Sequence, residues 1–329
     1  MNLKLIWILA SAIIVSASMA SAGYHKNFVG PQACTECHTD EGRAWQKSNH
    51  FKVFKGLHRN KFAKKLAKKM GAKSVKKSKM CAQCHYTGVK AGKPKAGISC
   101  ESCHGFAKKW VKIHNDYGGK SVKKASEPAA HKAKRISSAI AGGMIRPENI
   151  YDVASNCFQC HTVPNEKLVM TEIGGKSHAA GSDFELVSWS QGEVRHNFLN
   201  SSDGSNKAAS TERKRVLYVA GRILDLGYGL RGVAEATKKN RYTVAMAKRS
   251  MRALKHVEKI NAKLKDAAIG KIIAAAKGAK LKANNKAQIM KAVSAISKTA
   301  KKLLNGNSGK AWAGIDGLIP TSVKGAAVQ

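Results

Sequence analysis

Acidic side chains are scarce in this 329-residue chain. Asp and Glu total 20 against 59 Lys and Arg, a formal net charge of +39, and no acid lies between Gly42 and Cys100, a stretch crowded with lysines. That balance predicts a field that draws in acidic partners; the plainer alternative is a solvated basic surface that keeps the chain soluble. Aromatic residues are also few, at 6%, which is thin for a core built from protein alone. A hydrophobic run of bilayer length is missing as well. The apolar stretch from Leu5 to Val15 falls short of the about 20 residues that a transmembrane helix needs. It follows Lys4 and precedes Ser18-Met19-Ala20 and Ala20-Ser21-Ala22, so residues 1–22 read as a signal peptide, in preference to an uncleaved anchor, and the mature chain is expected in the periplasm. Export argues against a nucleic-acid partner, the usual reading of such basicity.

No cysteine stands outside one repeated pattern. All eight fall in CxxCH: Cys34, Cys37 and His38; Cys81, Cys84 and His85; Cys100, Cys103 and His104; Cys157, Cys160 and His161. The pattern lets two thiols form thioethers to the vinyl groups of one haem while the adjacent imidazole turns onto the iron. A redox CxxC pair, four disulfides, or a zinc site at Cys81, Cys84, Cys100 and Cys103 would each use some of these cysteines. None of them explains a histidine after every pair. The reading is four covalently bound haem c groups, with His38, His85, His104 and His161 as proximal iron ligands. Such groups would supply the apolar mass that the aromatics do not.

The chain divides in composition. Residues 23–205 hold every motif and most histidines, and are expected to form a tetrahaem c-type domain that is mainly α with little regular sheet. Within it, Arg43 to Lys55 and Lys61 to Met70 look helical, broken near Gly56, with Phe62, Leu66 and Met70 facing inward. The run of turn formers from Asn200 to Ser205 reads as a linker. Residues 206–329 carry only His256 and repeat aliphatic residues at helical spacing, which predicts a basic helical bundle or hairpin pair. The predicted stripes are Val216, Val219, Ile223, Leu226 and Leu230; then Val244, Ala247, Met251, Leu254, Val257 and Leu264; then Ile269, Ile272, Ile273 and Ala276; and last Ile289, Val293, Ile296, Ala300 and Leu303.

The opposite faces of the irons have eight non-motif histidines to draw on: His25, His50, His58, His114, His131, His178, His196 and His256. His50 ends a predicted helix soon after the first motif, His114 lies ten residues past His104, and His178 and His196 follow the fourth motif in a Gly- and Ser-rich stretch. These four are the distal candidates; His256, in the Lys-rich bundle, is expected to face solvent.

With Trp45 and His50 after the first motif, Cys81-Ala-Gln-Cys-His85, and Gly97-Ile-Ser-Cys100-Glu-Ser-Cys103-His104-Gly105, residues 28–165 resemble the tetrahaem cytochrome c-554 family. The resemblance implies that His50 crosses to the third haem and His114 to the first, and that haems one and three stack. It also implies a weakly ligated, open second haem, which His178 or His196 could close here while the other serves haem four. The resulting expectation is an electron carrier exchanging with acidic redox proteins, among them a larger multihaem oxidoreductase or a membrane quinone-linked cytochrome, with an anionic membrane surface as the other partner class. The competing expectation is a reductase of a small nitrogen or sulfur oxyanion at one five-coordinate haem, although no motif replaces its His by Lys.

Overall fold

The computed structural model describes residues 26–329 apart from 91, 92, 120, 164, 182 and 202; the predicted signal peptide and His25 lie outside the described residues. The chain is mainly helical. Its first half carries short helices: α1 (Gln32–Thr35), α2 (Thr39–Lys47), α3 (Asn49–Gly56), α4 (Lys61–Lys69), α5 (Lys79–His85), α6 (Cys100–His104), α7 (Ala129–Ala141), α8 (Ile150–His161), α9 (Glu166–Met170) and α10 (Leu186–Ser190). Sheet among the described residues is confined to two antiparallel pairs, β1 (Thr87–Lys90) with β2 (Lys93–Ala96) and β3 (Glu172–Ile173) with β4 (Lys176–Ser177). Long helices follow: α11 (Thr211–Glu235), α12 (Arg241–Leu264), α13 (Ala267–Lys277) and α14 (Lys286–Leu304), then a 3-10 segment from Lys310 to Leu318.

The helix predicted over Arg43 to Lys55 is two helices. Ser48 breaks it: the residue takes an extended backbone and its hydroxyl accepts a hydrogen bond from the Phe51 amide at 3.3 Å, an N-cap in mid-pattern. In α4 the inward stripe is centred on Leu66 and Ala67, both buried.

The C-terminal helices pack around α11, which is buried on nearly every side, as a central helix must be when neighbours cover it all round. Its glycines admit α12 closely: a Cβ at Gly232 would strike Met246, and one at Gly229 would strike Ser250. The predicted stripe of α12 is partly out of phase. Val257 is buried as expected, but Val244 and Met251 are exposed, and the buried face is Tyr242, Thr243, Met246, Arg249, Ser250, Ala253, Val257 and Ile260. Three polar residues on that face, Thr243, Arg249 and Ser250, hid it from a hydrophobic count. The stripes of α13 and α14 are as expected, centred on Ile269 and Ile272 and on Ile289, Ile296 and Ala300.

One apolar cluster runs from Ile150, Tyr151, Ala154 and Phe158 of α8 through Val216 to Leu230 of α11 and on to Ile289 and Ile296 of α14. The fourth motif therefore rests on the C-terminal helices. The turn-rich segment before α11 is also tied down: buried Asn206 donates to the carbonyls of Arg195 at 2.8 Å and Val328 at 2.7 Å. Lys324 adds a bond to Ser188 O at 2.9 Å, so the chain terminus returns to the motif-bearing half.

Candidate haem sites

A helical turn places residues i, i+3 and i+4 on one face, so the CxxCH pattern on a helix presents two sulfurs and one imidazole together. Three of the four motifs use this directly. Residues 81–85 end α5, residues 100–104 are α6, and residues 157–161 end α8. Local chemistry starts two of these helices where the motif needs them. Ser78 caps α5 by accepting from the Cys81 amide at 3.3 Å, and at the start of α6 the Ser102 hydroxyl accepts from the Ser99 amide at 3.3 Å. The first motif begins in α1 and turns so that His38 immediately precedes α2.

Each motif histidine faces one non-motif histidine at nearly one separation. Ring centroids are 6.3 Å apart for His38 and His114, 6.2 Å for His85 and His178, 6.2 Å for His104 and His196, and 6.2 Å for His161 and His50. An imidazole nitrogen sits about 2.0 Å from a metal it binds, with its ring centre about 1.1 Å further back, so two rings facing each other across one metal have centroids about 6.2 Å apart. The angles between ring planes vary from 20° to 86°, as rings sharing only an axis are free to do. His50 thus stands opposite His161, where the resemblance implied the third haem, and His196 stands opposite His104 instead of serving the fourth. His178 stands opposite His85. His58, His131 and His256 face no motif histidine; His256 is half-buried and not the solvent-facing residue expected.

The ring hydrogen bonds suit iron ligation. A carbonyl oxygen can only accept, so Nδ1 carries the proton where it bonds to Ile145 O (His104, 3.1 Å), Val111 O (His114, 2.6 Å), Ala179 O (His178, 3.0 Å) and Val194 O (His196, 2.7 Å). Each bond leaves the Nε2 lone pair available and fixes the ring orientation. Burial, followed by the neighbouring His178 and His50, pushes His85 down to about 4, and burial with His50 does the same to His161. Both imidazoles are neutral at pH 7, the state that binds a metal. The donor set, its spacing and its tautomers fit haem c.

Neighbouring sulfurs show which motifs adjoin. The Cys34 thiol meets that of Cys100, and Cys84 meets Cys160; in a haem-loaded chain these atoms are thioether sulfurs. Asn156 of α8 donates to Cys103 O at 3.0 Å, which joins the third and fourth motifs. The order in space is therefore first, third, fourth, second. Gly97 allows part of this, because a Cβ there would collide with the His50 carbonyl.

Three supports around the sites were not read from the sequence. Glu101, inside the third motif and 2% exposed, accepts from the amides of Val29 (3.1 Å), Gly30 (2.9 Å) and Ala107 (2.8 Å), tying three segments to α6. Burial raises its pKa, and those three amides oppose the rise. Arg135 donates to the carbonyl of His114 at 2.5 Å and is gripped by Glu127 at 2.7 and 2.6 Å. Arg249 pairs with Asp225 at 2.5 Å and lies against Gly181, itself beside the His161 and Thr162 carbonyls. The only cue for the first lies in the motif itself, a carboxylate between two cysteines of a buried helix. The others join residues too far apart in sequence to leave a local pattern.

A sequence model described as "Cytochrome c554 and c-prime" matches residues 33–105. Cytochrome c-554 of Nitrosomonas europaea is 28% identical over 165 residues, which cover 47% of this chain and 66% of that protein. Over its motif-bearing part the chain is thus similar to the cytochrome c-554 family. The family model ends at residue 105, short of the C-terminal helices. No solved structure matches. Among the described residues, no helix is long and apolar enough to cross a membrane.

Proposed function

We propose that this chain belongs to the cytochrome c-554 family and is a periplasmic electron carrier holding four haem c groups. In motif order the thioether pairs are Cys34 and Cys37, Cys81 and Cys84, Cys100 and Cys103, and Cys157 and Cys160. The axial pairs are His38 with His114, His85 with His178, His104 with His196, and His161 with His50. The observation that carries the reading is the set of four imidazole pairs at 6.2–6.3 Å.

When bound, haem supplies a one-electron couple whose potential follows ligands, burial and charge. The protein supplies the rest. Two imidazoles per site, four of the eight (His104, His114, His178 and His196) fixed by Nδ1 bonds to backbone carbonyls, hold the ligand geometry through a change in oxidation state. The contiguous motifs, ordered first, third, fourth and second, keep neighbouring sites in contact. The basic surface favours brief encounters with acidic redox proteins, a larger multihaem oxidoreductase or a quinone-linked membrane cytochrome among them. Reduction of an oxyanion needs an accessible iron, and every motif histidine here already has an opposing imidazole.

The visible spectrum of the purified ferric protein, repeated after reduction under carbon monoxide, tests this reading. The expected result is low-spin haem throughout, unshifted by carbon monoxide. A carbon monoxide adduct on any haem would overturn the carrier reading in favour of a reductase.

A further inference from the structure

We infer that the lysine face beside the second motif is where an acidic one-electron redox protein docks. The inference rests on the carrier reading and adds to it the end of the molecule at which exchange takes place.

Strand alternation builds half of this face. In β2, Lys93 and Lys95 are exposed while Pro94 and Ala96 are buried, so both ammonium groups leave the same side of the hairpin. The turn before α5 builds the other half. Lys76 and Lys77, with Ser74, close against Lys93, Pro94 and Lys95 around a recess of about 430 Å³. Exposed Lys73 and Lys79 flank it. The segment that builds it supplies no carboxylate, because residues 43–99 contain neither Asp nor Glu. Lysines crowded this way repel one another, and an incoming carboxylate surface relieves that repulsion.

Its position gives the face its use. Lys79 opens α5, which carries Cys81, Cys84 and His85, so the face abuts the second haem site, one end of the row of motifs. The other end is less basic. Around the first motif stand Glu36, Asp40 and Glu41, Asp40 paired with Arg43 at 2.9 Å, and Cys37 is the only exposed cysteine of the eight. Charges separated by more than about 8 Å are screened at physiological salt. An approaching acidic protein therefore responds to the local face at the second motif more than to the total charge of the chain.

The test uses the haem-loaded protein and reduced flavodoxin, an acidic donor. Each encounter passes one electron from the flavin hydroquinone to a ferric haem, leaving the flavin semiquinone and a ferrous haem. One variant carries Glu at Lys76, Lys77, Lys93 and Lys95. A control carries Glu at Lys280, Lys282, Lys291 and Lys298, all exposed, on α14 and the loop before it, for the same change in net charge. The second-order rate at low salt should fall by about tenfold or more in the first and by less than about threefold in the control. The rates should converge at high salt, and reduction by a small neutral reagent should be unchanged. Equal losses in both variants would overturn the docking site, as would no loss in the first. Should the charge-reversed chain fail to mature, Lys→Gln at the same four positions makes the same comparison at half the charge change. Haem content separates the two levels: missing haem refutes the carrier reading, whereas full haem with indifferent lysines refutes only the docking face.

Discussion

Replacing Asp225 with Asn should destabilise the protein and also shift the fourth haem site. The Arg249 and Asp225 side chains are 6% and 11% exposed and meet at 2.5 Å. At an effective dielectric of about 20, two unit charges some 4 Å apart attract by about 4 kcal/mol, roughly what their burial costs. Removing one partner leaves the desolvation of the other, so Asp225→Asn and Arg249→Leu should each cost about 3–5 kcal/mol. Removing both should cost much less than the sum. Denaturant unfolding followed by far-ultraviolet circular dichroism measures all three variants against the parent. A coupling of at least about 2 kcal/mol is expected, and strict additivity within about 0.5 kcal/mol would refute the reasoning. A second readout is local. Arg249 lowers the pKa of His161 through its charge, so without the Asp225 carboxylate its field should favour the ferrous state of the fourth haem. Spectroelectrochemistry should show one of four potentials rising in Asp225→Asn. An unchanged set would mean that the pair does not reach the site.

Other perturbations separate the individual supports. His178→Ala should leave the second iron five-coordinate, making about one quarter of the ferric haem high-spin and letting one carbon monoxide bind per reduced chain; a wholly low-spin spectrum would remove His178 from the ligand set. In Glu101→Gln the amide nitrogen replaces Oε2 and faces the Gly30 amide, donor against donor. The expected cost is about 1–3 kcal/mol in denaturant unfolding, and no shift in midpoint would dismiss the tie. Hydrogen bonds from Arg135, then His131, hold the Glu127 carboxyl well below its ordinary 4.5, at about 2. Its stabilisation is whole above pH 4.5 and lost as pH falls towards 2. An acid titration should therefore destabilise the parent more than Glu127→Gln in that window, and parallel curves would contradict the pairing.

The motifs were legible because covalent chemistry forces their spacing: Cys81, Cys84 and His85 lie within five residues, and no packing is needed to read them. The pairing of histidines was not. His50 and His161 are separated by more than a hundred residues, and which faces which follows from where α8 settles on α11, through Phe158 and Tyr228 (ring centroids 6.2 Å apart). His114 stands opposite His38, the nearest thing to a local pairing, since Cys34 and Cys100 bring their two motifs together. The helical character of α11 and α14 was plain from aliphatic spacing. The phase of α12 was lost because Arg249 is buried by a partner twenty-four positions away, and a hydrophobic count treats any arginine as outward. The break at Ser48 had a cue, a capping serine inside an apparently continuous pattern, which periodicity outweighed.

The central claim is that four haems are bound covalently, each between two imidazoles. A pyridine haemochrome assay on the purified mature chain, set against its peptide concentration, tests it most directly. Four equivalents per polypeptide are predicted. Two or fewer, or a colourless protein that retains zinc at the cysteine pairs, would contradict the account.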